Sequence, residues 1–282
     1  MYLNTYLNTS NFVKSLVLPF GYYFPFNKIF SSKLNYAVFC YHRIAERHKA
    51  LNKNNPLSGL EVQQNIFEEQ IEFLKKNFTI IPLEELEHHI KSKNKSFAIS
   101  VTFDDGYLDN INLALPVLEN HNVPATIFVI TRFLNRNDFM WWYYLWDNLN
   151  LQKYIYINSK KKYLVNQRDI INWFGIISKE VINLNYHNQK NYLDEIFGTE
   201  LDFNFKDLLI NIDQLIDLSK NPLIEIGSHT QTHPKLTSLS DEDVRIELSE
   251  SKEEIEKIIN KKVKFLAYPY GSKNEVNDKV IN

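Results

Sequence analysis

Short runs of apolar residues alternate along this chain with longer segments in which apolar residues recur every three or four positions. The short runs are rich in β-branched and aromatic residues, as expected of strands that are buried on both faces. They predict strands at 36–41, 78–81, 97–103, 125–130, 223–226 and 263–267. The longer segments predict amphipathic helices at 61–77, 83–93, 108–120 and 240–260. Pro116 predicts a kink in the third of these helices.

The alternation of strands and helices indicates an α/β fold with a parallel sheet. Polar clusters follow several predicted strands, which favours a (β/α) barrel over an open doubly wound sheet, because barrel enzymes gather their catalytic groups at strand ends. Residues 135–222 break the alternation with an aromatic stretch, a Lys-rich stretch and a helix-like segment. They predict a helical insertion in a barrel domain of residues 34–282, which follows an N-terminal extension of residues 1–33.

Composition narrows the function classes. The 282 residues are 44% hydrophobic, which is enough for the core of one large domain with an insertion. The net charge of −2 provides no basic field, so nucleic acid is not expected as a partner. Cys40 is the single cysteine, which excludes an internal disulfide and a cysteine-based zinc site. No glycine-rich pattern for binding nucleotide phosphates occurs.

The N-terminal extension is apolar over residues 12–30, but two prolines and a glycine interrupt this segment. It has neither a basic start nor a small-residue cleavage site, so it does not resemble a signal peptide. No stretch of the sequence predicts a membrane-spanning helix. We expect the segment to pack on the domain, with peripheral contact to a membrane surface as the alternative. A cytoplasmic or membrane-peripheral location is favoured on this basis.

Two adjacent acids, Asp104 and Asp105, follow the predicted strand at 97–103 and precede Gly106. Two unpaired carboxylates that are buried side by side would repel each other. A bound cation resolves that conflict, as does a division of labour in which one acid binds the cation and the other accepts protons. A solvated Asp-Asp-Gly turn explains the pattern equally well, since these residues are common in turns.

Two histidines, His229 and His233, follow the predicted strand at 223–226 and are four residues apart. Pro234 disfavours a helical conformation at His233, so a tight loop is expected to bring the imidazoles towards one ion. By itself the pair is explained as readily by two solvated side chains. Two histidines and one carboxylate with open coordination positions do form a catalytic metal site by ligand count.

Two weaker features also lie at the ends of predicted strands. His42 follows the strand at 36–41, and although a lone histidine is more often structural, its position matches that of the other polar clusters. The turn Pro269-Tyr270-Gly271 follows the strand at 263–267 and can present backbone N–H groups.

Together these four segments resemble the polysaccharide deacetylase family, which is also known as the NodB-homology domain or carbohydrate esterase family four. Thr-Phe-Asp-Asp-Gly at 102–106 matches the first motif of that family, and Ser-His-Thr-Gln-Thr-His at 228–233 matches its metal-binding motif. Ala-Tyr-Pro-Tyr-Gly at 267–271 resembles its third motif. Tyr-His-Arg-Ile at 41–44 looks like a motif of the permuted subgroup that includes the deacetylases of biofilm poly-N-acetylglucosamine.

The resemblance implies a deformed (β/α) barrel, a divalent metal that is usually zinc, and removal of acetyl groups from N-acetylated sugars of a polysaccharide or glycan. By the same resemblance, Asp105, His229 and His233 are expected to bind the metal. Asp104 is expected to act as general base, and His42 as the general acid that protonates the leaving amine.

Four further residues are candidates for contact with the substrate. The resemblance implies that Tyr270 lends its backbone N–H to the oxyanion and lines the sugar site, with Pro269 in the same rigid turn. Trp141 and Trp142 open the predicted insertion, and the strand before them should end at the catalytic face of the barrel. Packing of the insertion is the favoured interpretation of these two residues, and stacking against a sugar ring is the alternative.

The sequence departs from the family pattern in two ways. Ala267 stands where the third motif often has an arginine. The chain ends at Asn282, soon after the third motif, and this predicts an incomplete C-terminal part of the barrel. The early end motivates a second hypothesis for the function, in which a truncated and catalytically impaired barrel binds carbohydrate without hydrolysing it.

Overall fold

The computed structural model describes residues 35–49, 51–52, 54–92, 96–135, 139–198, 207–272 and 275–281. Within these ranges the strands are β1 (Tyr36–Tyr41), β2 (Arg43–Ala45), β3 (Glu61–Gln63), β4 (Thr79–Ile80), β5 (Ala98–Phe103), β6 (Ala125–Val129), β7 (Tyr154–Ile157), β8 (Lys160–Tyr163) and β9 (Ile224–Ser228). The helices are α1 (Gln64–Asn77), α2 (Leu83–Lys91), α3 (Leu115–His121), α4 (Trp141–Leu151), α5 (Gln167–Val181), α6 (Tyr186–Phe197), α7 (Ile212–Leu218), α8 (Asp241–Ile259) and α9 (Asp278–Ile281).

A parallel sheet of five strands lies at the centre. Four of them follow the order β1-β5-β6-β9, and the fifth, β4, pairs with β5. β4 pairs with residues 98–99 of β5 and β6 with residues 101–103, so β4 and β6 follow each other along one edge of β5. All six residues of β5 are buried, as its continuously apolar sequence predicts. The predicted α/β fold with a parallel sheet is confirmed, and its backbone hydrogen bonds form an open sheet within the described residues.

The strand predicted at 263–267 is reduced to a single bridge between Leu266 and Ser228 of β9. Ser228 donates its N–H to the carbonyl of Phe265 (3.0 Å), and Ala267 donates to the carbonyl of Ser228 (2.9 Å). In a parallel ladder the next donor on this segment would be residue 269. Pro269 has no N–H, so the pairing cannot extend in that direction.

Helices cover the sheet through one apolar cluster. Phe67 of α1 packs edge-on against Tyr41 and Phe103, with ring centroids 5.0 and 5.7 Å apart. Ile255, Ile258 and Ile259 from the last part of α8 join the same cluster. Burial of each such side chain contributes about 1.5–3 kcal/mol to stability relative to leaving it exposed.

The helix predicted at 108–120 begins instead as a π turn, Asn110–Ala114, which leads into α3. The N–H of Leu115 donates to the carbonyl of Asn110, five residues earlier. Pro116 causes this departure, because it has no N–H and its ring crowds the carbonyl four residues before it. A wider turn relieves that crowding, and such turns occur frequently at functional sites.

The segment that breaks the strand–helix alternation has an aromatic core of its own. This core is formed by helices α4, α5 and α6 and by one strand of an antiparallel hairpin, β7–β8, whose β7 packs on α6 and whose β8 is exposed. The hairpin was not predicted from the sequence. The hairpin turns at Asn158 and Ser159, which have positive φ angles of 49° and 59°. A two-residue turn with positive φ at both positions matches the right-handed twist of the two strands it connects. The domain boundaries, 1–33 and 34–282 with an insertion at 135–222, stay a prediction.

Residues 1–33, with the membrane contact predicted for them, lie outside the described residues. In the part of the chain that the structure describes, no helix is both long and apolar enough to cross a membrane.

Gly106 occupies a position that other residues fit poorly, and we expect Gly106→Ala to lower the free energy of unfolding by about 1–3 kcal/mol. Its φ is +70°, and an added Cβ would lie 3.1 Å from Cγ1 of Val129 in β6. Gly175→Ala is the matched control, because this residue lies inside α5 with no atom within 4 Å of an added Cβ. The control should gain about 0.5–1 kcal/mol. Urea denaturation of both variants checks the prediction, which fails if their stabilities change in the same direction.

Candidate metal centre

The segments that follow β1, β5, β6 and β9 meet where these parallel strands have their carboxyl ends. Tyr41 pairs with Phe103, and the N–H of Asp104 donates to the carbonyl of Tyr41 (2.9 Å). The N–H of His229 donates to the carbonyl of Val129 at the end of β6 (2.9 Å). These backbone bonds hold the predicted acidic and histidine motifs beside each other, although the sequence separates them by more than a hundred residues.

Asp105, His229 and His233 converge on one point. Oδ1 of Asp105 lies 3.4 Å from Nε2 of His229 and 3.6 Å from Nε2 of His233. One ligand atom from each of the three residues lies within 4.8 Å of the others, and all three side chains are buried. The predicted ligand set is therefore brought together by the fold.

Three observations show that this cluster fits a cation. Oδ1 of Asp105, the atom that faces both imidazoles, is buried without a hydrogen-bond partner, which is costly unless another group satisfies it. Nδ1 of His229 lies 2.9 Å from the carbonyl of Ala267, so this nitrogen carries the proton and Nε2 is free to bind a metal. Two imidazoles and one carboxylate are the donor set of many catalytic zinc sites.

The electrostatics of the cluster favour the protonation state that a metal ligand requires at Asp105 and His233, whereas at His229 a bound cation would have to displace a proton. Burial acts to raise the pKa of Asp105, but His229, His233 and His42 outweigh it and hold this pKa well below its usual range. Burial, together with the charges of His229 and His42, lowers the pKa of His233 to about 3. Burial opposes but does not cancel the effect of Asp104, which with Asp105 raises the pKa of His229.

The backbone around the cluster is strained. Asp105, Thr230, His233 and Tyr270 have φ angles of 72°, 68°, 60° and 61°, in the left-handed region that residues other than glycine rarely adopt. Such conformations cost about 1–3 kcal/mol each and collect at functional sites. Four of them within one small cluster indicate that the surrounding contacts hold these side chains in place although the backbone conformations are unfavourable.

Asp104, the predicted base, lies next to this cluster and is 7% exposed. Its Oδ2 accepts a hydrogen bond from Sγ of Cys40 (3.2 Å). Burial raises the pKa of the Cys40 thiol, and Asp104 raises it further, so the thiol stays protonated and acts as the donor. The carboxylate is thus held in place beside the three candidate ligands.

His42, the predicted acid, directly follows β1 and is half-buried. The residue before it, Tyr41, accepts the N–H of Asp104 at its carbonyl (2.9 Å), so His42 and the two acids continue from paired strand ends. The backbone carbonyl of His42 accepts a hydrogen bond from Nδ2 of Asn110 (2.8 Å). The structure therefore brings His42 to the same end of the sheet as the two acids.

The ring of Tyr270 packs 4.7 Å from the ring of His233, and the ring of Trp142 lies 5.3 Å from it on another side. Nε1 of Trp141 donates to the hydroxyl of Tyr270 (3.2 Å). Both tryptophans are 7% exposed and belong to the aromatic core, which agrees with the packing interpretation. Pro269 is buried, and its carbonyl accepts the N–H of Gly271 (2.7 Å) in the predicted turn.

The sequence model of the polysaccharide deacetylase family matches residues 91–282, which is more than half of the chain. The chain belongs to this family. The resemblance inferred from the motifs is thereby confirmed, and the deacetylase is a hydrolase that acts on carbon–nitrogen bonds of glycans. No curated protein is significantly similar to it in sequence.

Solved structures share the fold of this deacetylase. The deacetylase PplD of Streptococcus pyogenes, in complex with acetate, has a TM-score of 0.53 at 18% identity, covering 86% of this chain and 76% of that one. A de-N-acetylase from Aggregatibacter actinomycetemcomitans has a TM-score of 0.53 at 17% identity, covering 87% and 82%. For BC0361, a polysaccharide deacetylase from Bacillus cereus, the TM-score is 0.50 at 23% identity, and the chain spans 53% of that protein.

Glu247 of α8 anchors the histidine loop of the deacetylase and was not identified from the sequence. Its Oε2 accepts the N–H groups of Gln231 and Thr232 (both 2.9 Å), and its Oε1 accepts the hydroxyl of Thr232 (2.5 Å). One turn later Ser251 lies 2.6 Å, Oγ to Oγ, from Ser228 at the end of β9. The loop that carries both histidines is thus tied to a helix on the outside of the sheet.

We expect Glu247→Ala to lower the free energy of unfolding of the deacetylase by about 1–3 kcal/mol, because two buried N–H groups lose their acceptor. Loosening of the loop should also weaken any binding of a divalent metal at the candidate centre, by about 10–100-fold. Glu247→Gln should recover most of both losses, since the amide oxygen still accepts.

The matched control is Glu250→Ala. Glu250 lies on the same helix as Glu247, and the substitution removes only the exposed hydrogen bond that it accepts from Nε2 of Gln231 in the loop. Urea denaturation and zinc titration should show little change for this control. Equal losses for the variants at positions 247 and 250 would contradict the anchoring role.

Proposed function

We propose that this chain is a metal-dependent N-deacetylase, which removes the acetyl group from an N-acetylated hexosamine within a glycan. The observation that carries the proposal is the buried convergence of Asp105, His229 and His233 with Asp104 beside them. The similar Aggregatibacter structure is named a de-N-acetylase, which agrees with the proposed reaction.

Asp105, His229 and His233 are the residues that would hold the metal, and zinc suits two imidazole nitrogens and one carboxylate oxygen best. When bound, the metal supplies a Lewis acid that polarises the acetyl carbonyl. The buried surroundings of the three residues exclude bulk water and strengthen every electrostatic interaction there.

Asp104 would take the proton of the attacking water as the new carbon–oxygen bond forms. Its carboxylate is adjacent in sequence to the Asp105 ligand, and the Cys40 thiol fixes one of its oxygens. The two acids therefore have different tasks, one as ligand and the other as base, which resolves the repulsion between adjacent carboxylates.

His42 would donate a proton to the amine nitrogen as the carbon–nitrogen bond breaks, so that acetate and a free amino sugar leave. An amide nitrogen is a poor leaving group until it is protonated, and an imidazole suits this transfer near neutral pH. Because His42 follows β1 and Asp104 follows the adjacent strand β5, acid and base lie at neighbouring strand ends.

The turn at Pro269 and Tyr270 is proposed to stabilise the oxyanion through the backbone N–H of Tyr270 and to line the sugar site with its ring. The contact of this ring with His233 supports the placement beside the ligands. Stacking of Trp141 or Trp142 against a sugar is a further part of the proposal. The second hypothesis, carbohydrate binding without hydrolysis, is less well supported, since the residues to which we assign the reaction follow strands whose carboxyl ends lie at one end of the sheet.

Acetate release from N-acetylglucosamine oligomers by the purified chain, with and without added zinc, tests the proposal. We expect release that depends on zinc and is lost after chelation, together with about one metal ion per chain by elemental analysis. Glycan binding without acetate release, with zinc or with another divalent metal, would overturn the proposal and support the binding hypothesis.

A further inference from the structure

The peptide segment that carries His42 is held by two side chains from the turn after β5. Nδ2 of Asn110 donates to the carbonyl of His42 (2.8 Å), and Oδ1 of Asp109 accepts the N–H of Ile44 (3.0 Å). Oδ2 of Asp109 accepts Nε of Arg43 (2.8 Å). Three successive residues, 42 to 44, are thus bonded to two successive residues, 109 and 110.

The same contacts are shielded from water. Asn110 is fully buried, and the side chains of Arg43 and Asp109 are 17% and 11% exposed. Nδ2 of Asn110 also lies 3.2 Å from Oδ1 of Asp109, so the two side chains brace each other. Buried hydrogen bonds to a charged group are worth more than exposed ones, which makes this a rigid attachment.

Arg43 fixes the other side of the segment. Its guanidinium lies over the ring of Tyr107, 5.3 Å from the centroid, and donates to the hydroxyl of Tyr143 (3.2 Å) and to Glu61 (3.4 Å). The segment therefore cannot shift without breaking several partly buried contacts at once.

The π turn that begins at Asn110 belongs to the same arrangement. Asn110 starts the turn, and its carbonyl accepts the N–H of Leu115 while its side chain reaches His42. Asp109 and Asn110 follow Asp105 by four and five residues. The turn that directly follows the motif of the proposed base and ligand therefore holds the peptide of the proposed acid.

We propose that Asn110 and Asp109 are positioning residues for His42, which hold its backbone so that the imidazole can protonate the leaving amine. This inference rests on the proposed function. A general acid works only within hydrogen-bond reach of the atom it protonates, and a displacement of about 1 Å costs about a hundredfold in rate.

A comparison of two substrates separates this role from a structural one. An N-acetylglucosamine oligomer has an amine leaving group that needs a proton, whereas the nitrophenolate of 4-nitrophenyl acetate leaves without one. Asn110→Ala should lower kcat on the amide about 10–100-fold with KM unchanged. Hydrolysis of the ester and zinc content should stay within about threefold of wild type, as for His42→Ala.

Asn148→Ala is the matched control. Asn148 is also fully buried, donates Nδ2 to a backbone carbonyl (Tyr144, 2.8 Å) and has an unpartnered Oδ1, but it lies in α4. Removal of the Asn148 side chain should lower the free energy of unfolding without changing the ratio of the amide rate to the ester rate. If Asn110→Ala does not fold, Asp109→Asn replaces it, with the same change of ratio expected because the pairing with Arg43 weakens.

Equal loss of both activities in a folded position-110 or position-109 variant, or an unchanged ratio, overturns the positioning role while the proposed function stands. The same change of ratio in Asn148→Ala also overturns it. A wild-type protein that hydrolyses neither substrate with zinc overturns the proposed function and, with it, this inference.

Discussion

Asparagine in place of Asp105 should remove zinc from the protein and reduce acetate release to background. Asp105 supplies the carboxylate that faces both imidazoles, and its loss leaves two neutral nitrogens without the anionic ligand. Loss of a catalytic metal removes several kcal/mol of transition-state stabilisation, which corresponds to about a thousandfold or more in rate. Asparagine keeps the size of the side chain and tolerates the φ of 72° at this position, so the backbone should be retained.

Elemental analysis and thermal unfolding measure the outcome independently of activity. Zinc at a hundred times its dissociation constant should stabilise the wild type by about 2.7 kcal/mol and should not stabilise the variant. Asp213→Asn, an exposed acid in the first turn of α7, is the control and should keep both zinc and activity. Full zinc content in the Asp105 variant would contradict the ligand assignment.

The sequence predicted the site because its chemistry is concentrated at strand ends. The apolar runs predicted the strands β1, β5 and β9. Because these strands are parallel, the polar residues that follow each of them lie at the same end of the sheet. Asp105 and His229 could therefore be expected together without any knowledge of the distance between them. The pattern of strands grouped motifs that each had an equally good explanation as a solvated loop, and the resemblance to the deacetylase family supplied the expected roles of the individual residues.

The anchoring of the histidine loop was missed although a signal is present. Glu247 and Ser251 lie on the buried stripe of α8 together with Val244, Ile255 and Ile259, at a spacing that otherwise carries apolar residues. Polar residues on such a stripe need buried partners. The sequence could have shown that Glu247 requires a partner, but only the structure identifies this partner as the loop of the two histidines.

The bonds between Asn110 and His42 had no signal in the sequence. They join residues 68 positions apart and depend on the π turn, whose extra residue per turn changes which side chains face β2. Pro116 predicted a disturbance of the helix but not its form. The strained φ angles of Asp105 and His233 could not be predicted either, because residues other than glycine adopt the left-handed conformation too rarely for their presence in a sequence to indicate it.

Asparagine in place of Asp104 should leave zinc bound and lower kcat by about 10²–10⁴-fold, the usual contribution of a general base. The side chain keeps its shape and its place beside Cys40, but an amide cannot accept the proton of the attacking water. Zinc content separates this variant from Asp105→Asn, since only the latter should lose metal. A rate within tenfold of wild type would contradict the role of Asp104.

The two-substrate comparison distinguishes the base from the acid. Attack by water is needed for an amide and for an activated ester alike, so Asp104→Asn should slow both reactions to a similar extent. His42→Ala and Asn110→Ala should slow only the amide, because only the amine leaves with a proton. Asp104 and His42 follow adjacent strands, β5 and β1, and differ in which bond of the reaction they serve. If Asp104→Asn spared the ester, Asp104 would act on the leaving group, and the assignment of base and acid would have to be reversed.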